Sequence, residues 1–298
     1  MSILNFMGNT PLVKLENPHG PKFANVYVKL EEFNPGGSIK SRVALQMIED
    51  AEIERTIKRG DTLIEPTGGN TGIGLAIASA LKGYNLMLVI PDTFSKEKIS
   101  TLKELGAKVI LSDHRIGNNS HIVIAKQMME ENKQLICLDQ FSNVSNPKAH
   151  YNGTGKEILN QLQNHIDYFI AGIGSGGTIM GVGRRLKESI KGVKIIGVQP
   201  EGCDILNNKF VPHKIQALAV GVISTFFDKN VINSMMSISF EEAQETRKYL
   251  SKRQGIFVGM SSGANISAAL KLSKELDNTK NIVTVAPDSG KSYIEYGY

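Results

Sequence analysis

Short apolar runs alternate along the chain with longer segments whose apolar residues recur every three to four positions. Bounded by turn residues, the first pattern predicts buried β-strands, and the second predicts amphipathic α-helices. The predicted strands are Val26–Leu30, Thr62–Glu65, Leu86–Ile90, Lys108–Leu111, Tyr168–Ala171, Lys194–Val198 and Ile282–Val285. The predicted helices are Ser41–Glu54, Thr71–Leu81, Lys96–Leu105, His121–Glu131, Thr178–Glu188, a helix from the capping-box signal Ser239–Glu242 to about Lys252, and Asn265–Leu276. This alternation predicts an α/β protein with mostly parallel twisted sheets flanked by helices.

The strand–helix units form two clusters, which predicts two domains divided near residues 142–147. Paired domains of this kind commonly bind a ligand in the cleft between them. Residues 210–233 show neither period, so we expect a long loop there, and long loops are often functional.

Composition narrows the class of protein. The chain has 298 residues, of which 41% are hydrophobic, and this is enough for one large core or two smaller ones. A net charge of +5 without a basic stripe favours small anionic ligands over nucleic acid. Two cysteines and six histidines without metal-ligand spacing predict neither a disulfide framework nor a metal site. Without an evident signal peptide or an apolar run of about 18 residues, we expect a soluble cytoplasmic protein and no membrane partner.

Three glycine-rich loops each follow a predicted strand and lead into a predicted helix. They are Asn34–Lys40, Glu65–Gly72 and Gly174–Thr178. Helix N-termini present free N–H groups and the positive end of the helix dipole, so such loops bind anions. A lysine beside several anion-binding loops indicates an enzyme that holds a phosphorylated or carboxylated molecule next to an amine.

Lys40 and the second loop each allow two interpretations. A lysine amine forms a Schiff base with a carbonyl when partly deprotonated, and a helix N-terminus lowers its pKa. Alternatively, Lys40 is a surface lysine in a first helical turn. The second loop offers the polar groups of Thr67, Asn70 and Thr71, with glycines that let the backbone approach a carboxylate. An ordinary strand-to-helix turn is equally compatible with its spacing.

The third loop is ambiguous as well. Residues 172–177 fit the G-x-G-x-x-G pattern, and Glu201 follows at a distance suited to binding a ribose. Alternatively, the backbone N–H groups and the hydroxyls of Ser175 and Thr178 form a cup for a single phosphate. The turn at 259–264 carries serines that either contact a buried ligand or cap a helix.

Taken together, these loops resemble one family, the cysteine synthases (O-acetylserine sulfhydrylases) and cystathionine β-synthases within the fold-type II pyridoxal-phosphate enzymes. The resemblance runs almost from end to end and is carried by Gly8–Leu12, Asn34–Lys40, Glu65–Gly72, Asp139–Phe141, Gly174–Thr178 and Gly259–Gly263. It implies a two-domain fold with the cofactor in the cleft. Residues 36–145 would form a smaller mobile domain with the substrate-carboxylate loop, and 1–35 plus 146–298 a larger cofactor-phosphate-binding domain.

The resemblance implies a role for each matching residue. Lys40 would carry pyridoxal 5'-phosphate as an internal aldimine and move the α-proton, Asn70 would lie beside the ring hydroxyl, and Ser261 would bind the pyridine nitrogen. The residues that would bind the cofactor phosphate are Gly174, Ser175, Gly176, Gly177 and Thr178. The residues that would bind the substrate are Thr67, Gly68, Asn70, Thr71, Gln140 and Ala217.

The implied reaction is β-replacement on a β-substituted L-alanine through an aminoacrylate intermediate. In the family default, O-acetyl-L-serine and sulfide give L-cysteine. In the alternative, L-cysteine is the donor, hydrogen sulfide is released, and lanthionine, serine or cystathionine forms. Other relatives use O-phospho-L-serine, for which Arg42 and Lys98 are the nearby cations in the sequence. A homodimer and the C-terminal tail of serine acetyltransferase are the candidate partners that the family implies.

Four departures from the biosynthetic pattern concern the substrate side. Gly68 stands where the family usually has serine, and Ser41 stands where the family has aspartate after the lysine. Residues 216–219 read Gln-Ala-Leu-Ala, whereas the family has Gln-Gly-Ile-Gly. Residues 287–293 differ from the usual Gly-Glu-Arg-Tyr form. We therefore expect cofactor binding to persist and substrate choice to differ. Two other classes compete: a nicotinamide-dependent dehydrogenase, which leaves Lys40 unexplained, and a catalytically silent binding protein, against which an intact Lys40 argues.

Overall fold

The computed structural model describes residues 1–117 and 119–296, and its strands form two sheets. The strands are β1 (Leu12–Lys14), β2 (Asn25–Leu30), β3 (Thr62–Pro66), β4 (Asn85–Pro91), β5 (Lys108–Ser112), β6 (Leu135–Ile136), β7 (Tyr168–Gly172), β8 (Lys194–Pro200), β9 (Ser234–Ile238) and β10 (Asn281–Ala286). The helices are α1 (Lys40–Ile53), α2 (Asn70–Lys82), α3 (Lys96–Glu104), α4 (Ser120–Glu131), α5 (Ser145–Ala149), α6 (Lys156–Gln161), α7 (Gly177–Ser189), α8 (Phe240–Tyr249) and α9 (Met260–Ser273).

The larger sheet has six strands in the order β1-β2-β10-β7-β8-β9, and only the β1–β2 pair is antiparallel. The smaller sheet has four parallel strands in the order β5-β4-β3-β6. Every residue of β8 after Lys194 is buried, as expected for a parallel strand covered on both faces. The predicted α/β fold with mostly parallel sheets is confirmed.

Each sheet has its own apolar core. Helix α9, which is almost entirely buried, packs in the core on one side of the larger sheet, and α7 packs on the other side. Helices α1 and α2 pack in the core of the smaller sheet. Strands β3–β6 all lie between residues 62 and 136, whereas the larger sheet takes its strands from both sides of that stretch. The domain boundaries at 36 and 145 stay a prediction.

The helix that the sequence predicts at Asn265–Leu276 is wrong at its start. Helix α9 begins at Met260, because Gly259 in extended backbone is its N-cap and the residues that look like a turn already form the first helical turn. Five short elements were not predicted at all: β1, β6, β9, α5 and α6. The long loop predicted at 210–233 is confirmed for residues 210–228, and a short 3-10 helix, Lys229–Val231, follows before β9.

Candidate active site

Lys40 is the first residue of α1 and follows the turn after β2. Its Nζ lies 3.4 Å from Oγ of Ser175, in the loop after β7. Burial lowers the pKa of the Lys40 amine to about 8. The direction is the one expected from the sequence, although desolvation is the cause found here. An amine with this pKa is partly neutral near pH 7–8, as a Schiff-base lysine requires.

The loop 174–178 connects the end of β7 to the first turn of α7. Gly176 has a φ of +81°, which glycine adopts without strain. A Cβ on Gly177 would overlap Oδ1 of Asn146, so a neighbouring side chain has taken the space of the missing one. The first N–H groups of α7 have no carbonyl acceptor within their own helix. The loop is therefore lined by backbone donors and by the Ser175 and Thr178 hydroxyls.

The loop 67–71 after β3 carries four of the predicted substrate residues, and a fifth, Gln140, is hydrogen-bonded to it. Thr67 is buried, and its Oγ1 accepts from the Gly69 N–H at 3.2 Å. Oγ1 of Thr71 donates to Oε1 of Gln140 at 2.9 Å. Because the amide oxygen of Gln140 takes this bond, its donating nitrogen is the end left for an anion. Gly68 is exposed and Asn70 begins α2.

Asn146 links the two loops, and sequence reasoning missed it. This fully buried residue donates from Nδ2 to the Gln140 carbonyl at 2.7 Å and to Oγ of Ser175 at 3.1 Å. Nearby, Oγ1 of Thr178 lies 3.4 Å from Nε2 of buried His150, whose pKa burial lowers well below its usual value. Nothing in the sequence pointed to Asn146, because it lies in a segment predicted as a domain boundary, where no hydrophobic periodicity indicates which side chains are buried.

Ser261 lies in the first turn of α9 and is almost fully buried. The chain after β10 passes beside it, since the Gly259 N–H donates to the Asp288 carbonyl at 3.2 Å. Asp288 is 2% exposed, and burial raises the pKa of its carboxyl. Its Oδ2 accepts from Nδ2 of Asn70 at 2.7 Å and from the Tyr293 hydroxyl at 2.5 Å.

The segment 216–219 lies against the loop after β7, because the Ala219 N–H donates to the Ile173 carbonyl at 2.8 Å. Ala217 and Ala219 have φ angles of +66° and +45°. These values fall in the left-handed region, where an L-residue with a Cβ is strained. The two alanines therefore keep a backbone conformation that suits glycine.

The cations considered for a phosphorylated substrate are otherwise engaged. The Arg42 guanidinium is buried and donates to the carboxylates of Glu31 and Glu157 at 2.5–2.9 Å. Nζ of Lys98 lies 5.0 Å from the ring centroid of Tyr293. Arg42 is therefore part of a structural ion-pair network and not a substrate contact.

One group in the described residues has metal-ligand geometry that the sequence did not suggest. Ligand atoms of Asp92, Asp113 and His114 lie within 4.8 Å of one another. Asp113 is paired with Arg115 at 2.7 Å, and Nδ1 of His114 is 2.7 Å from Asp92. Each of the three side chains thus has a hydrogen-bond or ion-pair partner within the protein, and no ion is needed to explain their proximity.

The residues around Lys40 fit a pyridoxal phosphate. The loop 174–178 offers backbone donors and two hydroxyls for a phosphate, and its glycines let it pack closely against Asn146, Ala217 and Phe227. An amine of lowered pKa lies beside it for the aldehyde, and the contacts of Ser261 and Asn70 with the ring stay a prediction. A dinucleotide is not needed to explain the loop, since Glu201 is exposed beyond the end of β8.

Comparison with known proteins agrees with this fit. The family model described as "pyridoxal-phosphate dependent enzyme" matches residues 3–288. The chain therefore belongs to the pyridoxal-phosphate dependent enzymes, and its cofactor is pyridoxal 5'-phosphate.

Within that family, the chain belongs to the cysteine synthase and cystathionine β-synthase group. A cysteine synthase of Staphylococcus aureus is 42% identical over 295 residues, which cover 98% of this chain and 95% of that protein. A cystathionine β-synthase of Apis mellifera is also 42% identical, and the match covers 98% of this chain but only 60% of that longer protein. The crystal structure of a hydrogen sulfide-producing enzyme from Fusobacterium nucleatum superposes with a TM-score of 0.92 at 40% identity, covering 98% of this chain and 97% of the other.

Across the part of the chain that the structure describes, no helix is both long enough and apolar enough to cross a bilayer.

Proposed function

We propose that this protein catalyses β-replacement on a β-substituted L-alanine, with O-acetyl-L-serine and sulfide giving L-cysteine. One observation carries the proposal: the half-buried Lys40, whose amine has a pKa lowered to about 8, meets the anion-binding loop at Ser175. A second loop of carboxylate-binding character, around Thr67 and Thr71, belongs to the same site. The similarity to a cysteine synthase along 95% of its length supports this substrate pair.

The proposed cofactor contacts follow the polar groups of the site. The phosphate would be held by Gly174, Ser175, Gly176, Gly177 and Thr178, with the ring between Asn70 and Ser261. When bound, the cofactor supplies an electron sink for the carbanion at the substrate α-carbon. Ser261 offers a neutral hydroxyl to the pyridine nitrogen, and a neutral partner favours elimination over transamination.

Lys40 would act as the base of the reaction. Its amine is partly unprotonated at neutral pH, so it can accept the α-proton of the substrate. The negative charge of the substrate carboxylate would be bound by Thr67, Gly68, Asn70, Thr71 and Gln140. Ala217 would line the opposite wall. Closure of residues 36–145 over the substrate would exclude water from the reacting carbon.

The test measures L-cysteine formed from O-acetyl-L-serine and sulfide by the purified holoenzyme. Lys40→Ala should abolish turnover, because it removes both the base and the covalent attachment point. Formation of no L-cysteine by the wild-type protein, at millimolar concentrations of both substrates, would contradict the proposal.

A second reaction deserves a parallel assay, in which L-cysteine is the donor and hydrogen sulfide leaves. Two observations favour it: the substrate loop lacks a hydroxyl at Gly68, and the segment 216–219 carries two alanines at positive φ. Similarity to a hydrogen sulfide-producing enzyme supports it too. Sulfide release from L-cysteine alone, with lanthionine, serine or added-thiol products, would establish this direction; its absence leaves the biosynthetic one.

We also propose that the protein forms a cytoplasmic homodimer. The segments 3–6 and 31–33 expose Ile3, Phe6 and Phe33, and a hydrogen bond from the Gly8 N–H to Oδ1 of Asn34 joins the residues that follow them. Exposed apolar patches commonly mark protein interfaces. Light scattering measures the dimer directly. Binding of a serine acetyltransferase tail peptide, whose terminal carboxylate would occupy the substrate loop, is tested by competition with O-acetyl-L-serine.

A further inference from the structure

Asp288 occupies a junction between the three loops that surround the proposed cofactor site. Its backbone pairs with Ser38, and the Ile39 N–H donates to the Pro287 carbonyl at 2.8 Å, immediately before Lys40. On its other side, its carbonyl accepts from Gly259, two residues before Ser261. Its side chain reaches the third loop through Asn70. Asp288 thus contacts the three segments that carry Lys40, Ser261 and Asn70.

The chemistry of the side chain sets the orientation of Asn70. An ionised carboxylate only accepts hydrogen bonds, so the Nδ2 end of the Asn70 amide has to face Asp288. The Tyr293 hydroxyl donates to the same Oδ2 and holds the carboxylate in place. With one N–H fixed on Asp288, the amide plane and the direction of its second N–H are fixed as well.

The surrounding space is shaped for this carboxylate. A Cβ on Gly259 would overlap Oδ1 of Asp288 and lie 2.6 Å from the Tyr293 ring. Oδ1 is buried and has no hydrogen-bond partner among the described residues. A carboxyl oxygen held without a partner contributes little to stability, because its desolvation is not repaid. Stability alone is therefore a poor explanation for Asp288.

We propose that Asp288 is a positioning residue, which orients the Asn70 amide toward the cofactor ring with Tyr293 as its support. The inference rests on the role given to Asn70 in the proposed function. It assigns a task to the segment 287–293, which departs from the usual family form.

The test compares cofactor binding by wild type, D288A, N70A and the D288A/N70A double variant. The readouts are the dissociation constant of pyridoxal phosphate from the apo-protein and the visible absorption of the bound cofactor. D288A should raise the dissociation constant of pyridoxal phosphate about tenfold, which corresponds to the loss of one charge-assisted hydrogen bond. It should also shift the visible absorption of the bound cofactor. Because Asp288 acts through Asn70, the double variant should be no worse than N70A alone.

Asp167→Ala is the matched control. Oδ1 and Oδ2 of Asp167 accept from Lys280 and from the Asn281 N–H, both at 2.9 Å, at the opposite end of β10 from Asp288. This variant should lower thermal stability without changing the cofactor spectrum. An unchanged dissociation constant and spectrum in D288A, or effects of D288A and N70A that simply multiply, would overturn the proposal.

If D288A does not fold, D288N and Y293F decide the question with the same readouts. D288N retains the shape of the side chain but no longer dictates the amide orientation, so it should give an intermediate shift; Y293F should give a smaller shift in the same direction. Wild-type spectra in both variants would overturn the proposal. The readouts need no turnover, so a failure of the proposed β-replacement reaction leaves this test intact.

Discussion

Gly68 leaves a gap in the proposed carboxylate loop that a side chain would fit. A Cβ there would meet only Pro91, at 4.0 Å. We expect Gly68→Ser to add a hydroxyl donor and to lower KM for O-acetyl-L-serine by up to about tenfold, the value of one hydrogen bond to a charged group. Gly68→Ala is the matched control in steady-state kinetics, because it adds the carbon without the hydroxyl. An equal effect of the alanine would show that the hydroxyl is irrelevant.

Ala217 is strained by its backbone and, being exposed, has little packing to lose. A left-handed conformation costs an alanine about 1–2 kcal/mol, and the greater unfolded-state freedom of glycine offsets part of that gain. Ala217→Gly should therefore stabilise the protein by up to about 1 kcal/mol in chemical denaturation. Ala217→Val at the same position should destabilise it, since a β-branched residue tolerates positive φ poorly. If Ala217→Gly destabilised the protein, the positive φ of Ala217 would not be a source of backbone strain.

At the level of single residues, the sequence singled out those that carry recognisable chemistry. Lys40 and the loop 174–178 each allowed a second interpretation from the sequence, and in the structure Nζ of Lys40 lies 3.4 Å from Oγ of Ser175. Asp288 does not stand out, because its partner Asn70 is 218 positions away in the sequence. Asn146 does not stand out either, because its contact with Gln140 forms only when the intervening residues fold into a turn. The importance of such residues comes from tertiary contacts that no local pattern records.

Glu65 ties the end of β3 to the loop that carries Gln140. Its carboxylate accepts from the N–H groups of Asp139 and Gln140 at 3.1 and 3.3 Å, and burial raises its pKa from 4.5 to about 7. Between these pH values the folded state holds a proton that the unfolded chain has released. The contribution of Glu65 to the free energy of unfolding is therefore present below pH 4.5 and is lost as the pH rises through about 7.

Denaturation of wild type and Glu65→Gln at several pH values tests this titration. The stability of wild type relative to the variant should fall by on the order of 3 kcal/mol as the pH rises across that window. Comparison of the two proteins cancels the other groups that titrate in the same range, such as His150. A difference that does not vary with pH would exclude Glu65 as the titrating group.

The ion pairs around Glu157 join three elements: α6, α1 and β2. Glu157 bonds Arg42 at 2.5 Å and Lys29 at 2.8 Å. Burial alone would raise the pKa of Glu157, but these two cations lower it to about 2. Its contribution to stability is therefore present above pH 4.5 and is lost as the pH falls toward 2.

We expect Glu157→Ala to cost about 3–5 kcal/mol at neutral pH, because it leaves buried Lys29 without its carboxylate partner and removes one of the two carboxylates that pair with Arg42. Asp113→Ala is the control, since it breaks an exposed pair with Arg115 and should change stability by less than about 1 kcal/mol. Denaturant titration measures both variants. Equal losses of unfolding free energy in the two variants would mean that the buried ion pairs of Glu157 stabilise the protein no more than an exposed pair does.

At the level of elements, the sequence predicted the long ones well and the short ones poorly. Short apolar runs located seven of the ten strands found in the described residues. Strands β1, β6 and β9 are short or partly exposed, so their periodicity does not rise above chance. Helix α9 was placed too late because its first turn is made of Ser, Gly and Ala, residues that equally suit a turn.

For the whole molecule, we expect residues 36–145 to move as a unit when an amino acid binds. The proposed carboxylate loop belongs to this unit, and Asp288 contacts it from the rest of the chain through Asn70. Small-angle scattering should show a smaller radius of gyration for the holoenzyme with a non-reacting amino-acid analogue than without it. Lys40→Ala serves as a control in which the substrate itself binds without turnover. An unchanged scattering curve would argue against closure.

The place of β10 between β2 and β7 has a consequence for how the chain reaches its fold. Asn25 of β2 pairs with Asn281 of β10, so 256 positions separate these neighbours. The four-stranded sheet needs only a continuous stretch of chain, whereas β2 has an unfilled edge until a strand synthesised far later inserts beside it. Such distant pairing slows folding, and open strand edges promote aggregation. Production of this enzyme should therefore respond more to chaperone supply than to further stabilisation of its smaller sheet.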